Sequence, residues 1–369
     1  MPAPLDDSQL RIWATTEPDR LYGLADDPAL SDGDLLRVAR HLVGRESTPA
    51  TAWTFRLAER LTVPDAPEDP EEPDGRRILI RQLAWHAAQR TTRFHIKPHY
   101  DRPPAAPDEP GTEFRACLLQ EMALRWGFTD PEQDAPYFAY AERLRELGHP
   151  LGGLPLGSLR FEHGMQRGVV SPGSILGRLS PGQLRAAYPE VPATGAGARA
   201  GRTAVPVPNP VRIEAAGAPY AEHGAWDAAF YTLPRPLDPD DFNGALLAEL
   251  PADCLAGLTA ETVLTAFTTA DDVLGDLFTS AFTGGVWGQG YMGAYARLRA
   301  WQGLYALMDL DPGVPHTEAV RAAAAYHWLR FVPPPAHGDW FCGDFTDIGF
   351  AVLDPGRTRI AVLALTDTD

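Results

Sequence analysis

Apolar residues recur at helical spacing most clearly in the last third of the chain. Residues 268–282 carry them on one predicted helical face, at Val273, Leu274, Leu277, Phe278, Ala281 and Phe282. A second helix is predicted to start at Ala294, because apolar or aromatic side chains follow at spacings of three or four, namely Tyr295, Leu298, Trp301, Tyr305 and Met308. A third helix is predicted over residues 318–329.

Two apolar runs flank the segment Asp354-Pro355-Gly356-Arg357 near the end of the chain. Proline and glycine at the two central positions are typical of a type II turn. We therefore expect residues 348–369 to form an antiparallel hairpin in which at least one strand is buried.

The first 150 residues have the pattern of short helices separated by loops. Ser31 and Asp34 have the spacing of a capping box, and the apolar residues that follow them share a helical face. Thr48 is expected to cap the next helix, because Pro49 comes directly after it. Three further helices are predicted over residues 78–88, 114–126 and 137–147.

The composition changes after residue 150. Glycine, alanine and proline punctuate residues 193–201 and 205–211 too densely for long helices, so a connector with a lobe boundary near 193–210 is expected. The best strand candidates are residues 212–215 and 225–233. The sequence therefore predicts an α+β, predominantly helical fold. Its expected parts are a helical lobe (1–150), an irregular Gly/Pro-rich connector (151–210), and a lobe whose helices pack on a small antiparallel sheet (211–369).

The charge of the chain narrows its possible partners. The 369 residues carry a net charge of −17, and 44% of them are hydrophobic. Phosphate binding and adhesion to anionic lipid both need a basic patch, so neither nucleic acid nor a membrane is expected as a partner. A basic protein would be attracted. Lys97 is the only lysine among 32 basic residues. Such an arginine bias follows GC-rich codons, so Arg, Gly or Pro clusters are weak signals in the sequence alone.

Cysteine and histidine usage points to a reducing compartment without a metal site. The three cysteines are odd in number and far apart, and the one close histidine pair, His95 and His99, is interrupted by Pro98. The N-terminal residues lack the basic and apolar regions of a signal peptide, and no apolar run approaches the roughly 18 residues of a membrane span. We expect a cytoplasmic protein with no metal and no cofactor.

Acidic residues concentrate in the segment PDAPEDPEEPDG, residues 64–75, which contains six acids and no base. Its prolines recur every third residue, which is the repeat of a polyproline II helix. The segment is either a docking stripe for a partner or a solvated loop. The candidate partner-binding residues are Glu68, Asp69, Glu71 and Glu72.

The segment GGVWGQGYMG, residues 284–293, contains the spacing G-x-G-x-x-G. A dinucleotide site needs a strand before this loop, whereas the sequence predicts a helix that runs into Gly284. We therefore expect a tight turn between two helices. The free amides at the start of the second helix remain a candidate anion site. The candidate ligand-binding residues are Gly284, Gly285, Gly288, Gly290, Tyr291 and Gly293.

A second cluster lies in residues 337–347, an aromatic-rich loop. A cysteine nucleophile needs a base and a lowered pKa, which a nearby histidine supplies. The alternative is that Cys342 packs as a small buried hydrophobe. No catalytic residue is assigned; His337, Cys342 and Asp344 are the candidates if the protein is an enzyme.

Two C-terminal motifs resemble an uncharacterised actinobacterial protein family, a domain of unknown function. The segment AFTGGVWGQGYMGAYARL is similar to that family's Ala-Phe-x-Gly-Gly loop followed by a Gly-Ala-Tyr-x-Arg-Leu helix, and IAVLALTDTD is similar to its final strand. The matching residues are Gly284, Gly285, Gly293, Ala294, Tyr295, Arg297, Leu298 and 366–369. The resemblance covers about the last third of the chain and implies no activity.

For function we expect a non-catalytic interaction protein that binds another protein through its acidic surface, with immunity or antitoxin-type proteins as a class analogy. One alternative is an enzyme that acts on a small anionic molecule at the 284–293 loop. The other is a structural or assembly role.

Overall fold

The computed structural model describes residues 6–27, 29–45, 47–60, 75–107, 109–164, 191–221, 224–284, 290–332, 340–341 and 347–366. The chain divides into two compact units. Unit 1 consists of Met1–Ser158 together with Met292–Tyr295, and unit 2 consists of Leu159–Tyr291 and Ala296–Asp369. The predicted fold class is confirmed, because the described residues are predominantly helical and form one antiparallel sheet.

The described part of unit 1 contains helices and no strands. Its helices are α1 (Asp7–Thr16), α2 (Pro18–Ala25), α3 (Asp32–Val43), α4 (Thr48–Arg60), α5 (Gly75–Arg90), α6 (Arg93–Ile96), α7 (Pro110–Trp126) and α8 (Ala135–Glu146), with short 3-10 turns at Lys97–Tyr100 and Pro150–Gly153. Helix α7 is buried along nearly all its length and packs against α4, α5 and α8. The three helices predicted over residues 78–147 are confirmed.

Local sequence signals predicted the starts of α3 and α4 to within one residue. The capping box at Ser31 is confirmed, since its Oγ accepts the Asp34 N–H at 3.2 Å and donates to Asp34 Oδ2 at 2.8 Å. The cap at Thr48 was wrong by one residue. Thr48 lies inside α4, and the Ala50 N–H donates to Ser47 Oγ at 3.4 Å instead.

Unit 2 contains the remaining helices and all six strands of the described residues. The helices are α9 (Gly195–Thr203), α10 (Pro210–Gly217), α11 (Gly244–Leu247), α12 (Ala270–Thr283), α13 (Met292–Met308) and α14 (His316–Ala323); the first turn of α13 is assigned to unit 1. Short 3-10 turns occur at Arg160–Gly164, Pro239–Asp241 and Asp253–Leu255. The strands are β1 (Val205–Pro206), β2 (Ala225–Thr232), β3 (Leu264–Phe267), β4 (His327–Val332), β5 (Asp347–Leu353) and β6 (Arg359–Thr366).

The sheet is antiparallel, with strand order β1-β2-β6-β5-β4-β3. Its centre is the predicted hairpin, in which Leu353 pairs with Ile360 and Ile348 with Leu365. Both hairpin strands are buried along almost their whole length. Helix α10 contacts β6 and its neighbour β2, and a large apolar cluster includes residues of both hairpin strands. Helix α12 is tied to the sheet by an ion pair between Asp276 and Arg330 of β4.

The turn of that hairpin differs from the predicted type II turn. The φ of Gly356 is not positive, whereas Arg357 adopts a left-handed conformation with φ +58°. The Arg357 N–H donates to the Asp354 carbonyl at 2.9 Å, which closes a type I turn followed by one left-handed residue. The Asp354 carboxylate accepts the N–H groups of Thr358 and Arg359, and these bonds fix the return of the chain into β6.

Three other segments differ from the sequence predictions. Residues 212–215 were expected to form a strand but lie in α10, where Asn209 caps the helix and Pro210 occupies its first position. Residues 193–201 were expected to be irregular, yet they enter α9 because Thr194 accepts the Gly197 N–H. The helix predicted over 318–329 ends at Ala323, and Leu329 lies in β4 because that strand completes the sheet.

None of the helices in the described part of the chain has the length and apolar character of a membrane span.

Candidate functional site

The Gly-rich segment lies between two helices, as predicted. Helix α12 ends with Gly284 in a left-handed conformation, and the Gly284 N–H donates to the Ser280 carbonyl at 3.0 Å. Gly290 also has a positive φ, of +64°, and a Cβ at that position would overlap the Phe282 carbonyl. The Tyr291 N–H donates to the Ala281 carbonyl at 2.8 Å. Gly285 and Gly288 lie outside the described residues.

An internal carboxylate occupies the predicted anion position at the start of α13. The Ala294 N–H donates to Glu121 Oε1 at 2.9 Å, and the Gly293 N–H is bound by the same side chain. Gly293 makes this approach possible, since a Cβ there would overlap the Glu121 carboxylate. Free helix N-terminal amides attract anions, and here a carboxyl oxygen of Glu121 on α7 occupies that position.

Glu121 is buried, and its protonation is sensitive to pH near neutrality. Burial raises the pKa of its carboxyl to about 8, although the backbone hydrogen bonds from Ala294 and Gly293 act in the opposite direction. Desolvation disfavours the ionised form, and here it outweighs the two amide dipoles. The buried centre thus contains an acid that can gain or lose a proton at ordinary pH.

A second buried carboxylate, Glu113, lies two turns earlier on α7. His149 Nε2 lies 3.0 Å from its Oε2, the Tyr295 hydroxyl donates to Oε2 at 3.1 Å, and the Cys117 thiol donates to Oε1 at 3.4 Å. Arg81 Nε lies 4.0 Å from Oε1. Four polar side chains therefore converge on one carboxylate in the interior of unit 1.

A backbone hydrogen bond determines which ring nitrogen of His149 carries the hydrogen. The Leu151 N–H donates to His149 Nδ1 at 3.2 Å, so Nδ1 acts as an acceptor and Nε2 carries the hydrogen that faces Glu113. Burial raises the pKa of Glu113, but the hydrogen bond from His149 and the positive charge of Arg81 outweigh it and bring the pKa below its ordinary value. Glu113 is therefore ionised, and it accepts hydrogen bonds from His149, Tyr295 and Cys117.

The thiol of this cluster is unsuited to nucleophilic attack. Burial, followed by the negative charge of Glu113, raises the pKa of Cys117 well above its ordinary value, and the residue is 0% exposed. A reactive cysteine needs a lowered pKa and solvent access. Burial likewise raises the pKa of Tyr295. The hydrogen-bond donors of the cluster are all bound to Glu113 and are not directed at an external ligand.

Unit 2 contains its own buried ion pair. Arg297 makes two parallel hydrogen bonds to Glu162, from Nε to Oε1 at 2.6 Å and from Nη2 to Oε2 at 2.8 Å. Trp301 Nε1 donates to the same Oε1 at 2.8 Å, and the Leu159 N–H donates to Oε2 at 2.9 Å. Both carboxylate oxygens are satisfied, so this bidentate pair holds α13 against the Arg160–Gly164 turn within unit 2.

The acids of α7 carry a signal in the sequence itself. Glu113, Cys117 and Glu121 recur every four residues along a helix that is otherwise largely apolar. That spacing places them on one face. A charged residue inside an apolar stripe indicates a buried partner, although the sequence does not show that the partners are Gly293, Ala294 and Tyr295.

The remaining candidate residues lie outside the part of the chain that the structure describes. They are Glu68, Asp69, Glu71, Glu72, His337, Cys342 and Asp344. In the part of the chain that the structure describes, no group of three His, Cys, Asp or Glu side chains could hold a metal ion.

A family model matches residues 25–369 and is described as a family of unknown function, DUF6183. The chain belongs to the DUF6183 family. The expected membership in a domain of unknown function is thus confirmed. No match was found among curated proteins or among solved structures. In this DUF6183 chain, the motif Gly-Ala-Tyr-x-Arg-Leu supplies Gly293, Ala294 and Tyr295 to the buried acids of unit 1 and Arg297 to the ion pair of unit 2.

Proposed function

We propose that this DUF6183 protein is a non-catalytic interaction protein that binds a basic protein partner through acidic residues of segment 64–75. The observation that carries the proposal is the closure of the Glu113 cluster. Its acid, histidine, thiol and phenol resemble catalytic groups, yet they are buried and hydrogen-bonded to one another. Such an arrangement stabilises a fold and leaves function to the surface.

The alternative enzyme site at the Gly-rich turn has less support. An anionic substrate at the start of α13 would compete with Glu121 for the amides of Gly293 and Ala294. The displaced carboxyl would remain buried without these hydrogen bonds, which is unfavourable.

Charge supports a basic partner. The net charge of −17 gives the protein a long-range attraction for positively charged surfaces. Six acids without a compensating base lie between the end of α4 and the start of α5. Complementary charges of this kind accelerate encounter and select partners more than they increase affinity. Immunity and antitoxin-type proteins are the class analogy.

The test compares two variants of equal charge. In the first, Glu68, Asp69, Glu71 and Glu72 are replaced by Gln or Asn. In the second, the same replacements are made at four exposed acids elsewhere, Glu132, Glu214, Asp253 and Glu261. Each full-length chain is used to capture proteins from a lysate of its source cells at two salt concentrations.

The proposal predicts a basic protein that the unmodified chain and the control variant retain equally. The segment variant should lose it, and raised salt should weaken its retention, because screening acts within about 10 Å at 0.1 M salt. Equal retention by all three chains, or no captured protein, would refute a docking role for the segment.

A further inference from the structure

An open cavity of about 400 Å³ lies in unit 1, where α5 ends and α6 begins. Its wall is formed by Gln89, Arg90, Thr91, Thr92, Arg93, Arg125 and Trp126. Three of these side chains are guanidinium cations, and none is a carboxylate. This composition contrasts with the net charge of −17 of the chain.

Two of the three cations lack a carboxylate partner among the described residues. Arg90 is exposed and has no hydrogen bond or ion pair there. Arg125 donates to the neutral side-chain amide of Gln89. Arg93 is partly compensated, because its Nη1 lies 3.3 Å from Asp134 Oδ1. The wall therefore keeps a surplus of positive charge.

The titration of a neighbouring histidine is consistent with that surplus. Burial, together with the positive charges of Arg40 and Arg90, lowers the pKa of His86 to about 4. Arg40 is bound to the neutral Gln82 side chain at 2.7 Å and is half-buried. Arg40 and Arg90 thus both act on His86, and Asp7 offsets part of the charge of Arg40.

We propose that this cavity binds the phosphate group of a small phosphorylated molecule. Guanidinium groups match the oxygens of a phosphate in planar, bidentate geometry, and a doubly charged anion uses more than one of them. The Thr92 side chain is exposed and makes no capping bond to α6, so its hydroxyl can donate as well. The inference is independent of the acidic segment.

The rest of the wall suits the body of such a ligand. Trp126 is 38% exposed and lies within 5.5 Å of the guanidinium carbons of Arg93 and Arg125, measured to its ring centroid. Its indole provides an apolar edge beside the cations. The cavity volume falls within the usual range of small-molecule sites, roughly 300–1,000 Å³.

A second cavity, in unit 2, provides a matched comparison. It measures about 860 Å³ and is also lined by three arginines, Arg199, Arg202 and Arg235. Its wall includes Asp238 and Asp241, and Arg202 forms an ion pair with Glu249 at 2.7 Å. Carboxylates therefore compensate the cations of the second cavity.

The experiment is calorimetric titration of the full-length chain at low ionic strength. The probes are inorganic phosphate, glucose 6-phosphate, glucose and a short single-stranded RNA. The test variant is Arg90→Gln/Arg125→Gln, and the control variant is Arg199→Gln/Arg235→Gln; all four side chains are exposed. Circular dichroism and thermal unfolding establish that both variants are folded.

We expect glucose 6-phosphate to bind the unmodified chain and the control variant, and glucose to bind neither. The test variant should bind glucose 6-phosphate roughly tenfold more weakly for each guanidinium removed, as expected for a charge-assisted hydrogen bond. Equal binding by both variants, or no binding of either phosphate probe, would overturn the proposal. Arginine-dependent binding of RNA alone would assign the cavity to a nucleic acid instead.

Discussion

The backbone N–H of Ala294 donates to Oε1 of Glu121 at 2.9 Å, although the two residues are 173 positions apart in the sequence. This contact fixes the start of α13 on the middle of α7 within unit 1. Because Gly293 precedes the amide, the carboxylate reaches the helix end without steric overlap.

Replacing Glu121 with Gln should change how stability depends on pH. Its pKa is raised from the ordinary 4.5 to about 8 in the folded state, mainly by burial. The folded chain then binds more protons than the unfolded chain between these values, so the contribution of Glu121 to stability is fully present below about pH 4.5 and is lost as pH rises to about 8. The expected slope within that window is about 1.4 kcal/mol per pH unit.

The measurement is the free energy of unfolding in urea at a series of pH values from 5 to 8.5. Glu121→Gln should flatten the slope relative to the unmodified chain, since Gln does not titrate. Exposed Glu132→Gln serves as the control and should leave the slope unchanged. Identical slopes in all three chains would show that Glu121 titrates normally.

Adding one methyl group at Gly293 should destabilise the protein. The Cβ of Gly293→Ala would overlap the Glu121 carboxylate, and overpacking of a buried site costs about 1–3 kcal/mol. Gly275→Ala is the matched control, because Gly275 lies inside α12 with nothing near its added Cβ. That change should be neutral or stabilise by up to about 1 kcal/mol. The measurement is the free energy of unfolding of both variants in chemical denaturant. Equal stabilities would contradict the close approach of Glu121 to Gly293.

The buried ion pair of unit 2 should be sensitive to loss of one partner. Glu162→Gln would leave Arg297 buried without a counter-charge, which typically costs about 3–5 kcal/mol. The exposed pair of Arg143 and Glu146 is the control, and Glu146→Gln should cost less than about 1 kcal/mol. The double variant Glu162→Gln/Arg297→Met should recover part of the loss. A similar cost at both sites would mean that solvent reaches Glu162.

The cysteines of the described residues should resist modification in the native state. Cys117 and Cys254 are buried, and burial raises the pKa of each thiol well above its ordinary value. In a Cys342→Ala variant, a chromogenic disulfide reagent at pH 8 should react slowly before urea is added and with two thiols afterwards. Rapid reaction of native Cys117 would show that the Glu113 cluster is open, and it would weaken the proposal of a non-catalytic protein.

Elements whose signals lie within one segment could be predicted from the amino-acid pattern. The apolar stripe from Val273 to Phe282 and the aromatic stripe from Tyr295 to Met308 both lie on helices, because a periodic apolar face is encoded within one segment. The same holds for the capping box at Ser31 and for the two apolar runs of the final hairpin.

Features that depend on partners distant in the sequence are set by tertiary packing and could not be predicted. Leu329 lies in a strand because it pairs with β5, and the group bound at the start of α13 is the carboxyl of Glu121. Periodicity places a polar residue on one face of a helix. It does not identify the group that contacts this residue from 173 positions away in the sequence. Whether a buried acid is ionised depends in turn on that partner and on the water excluded around it, so Glu113 and Glu121 acquire opposite pKa shifts on one helix.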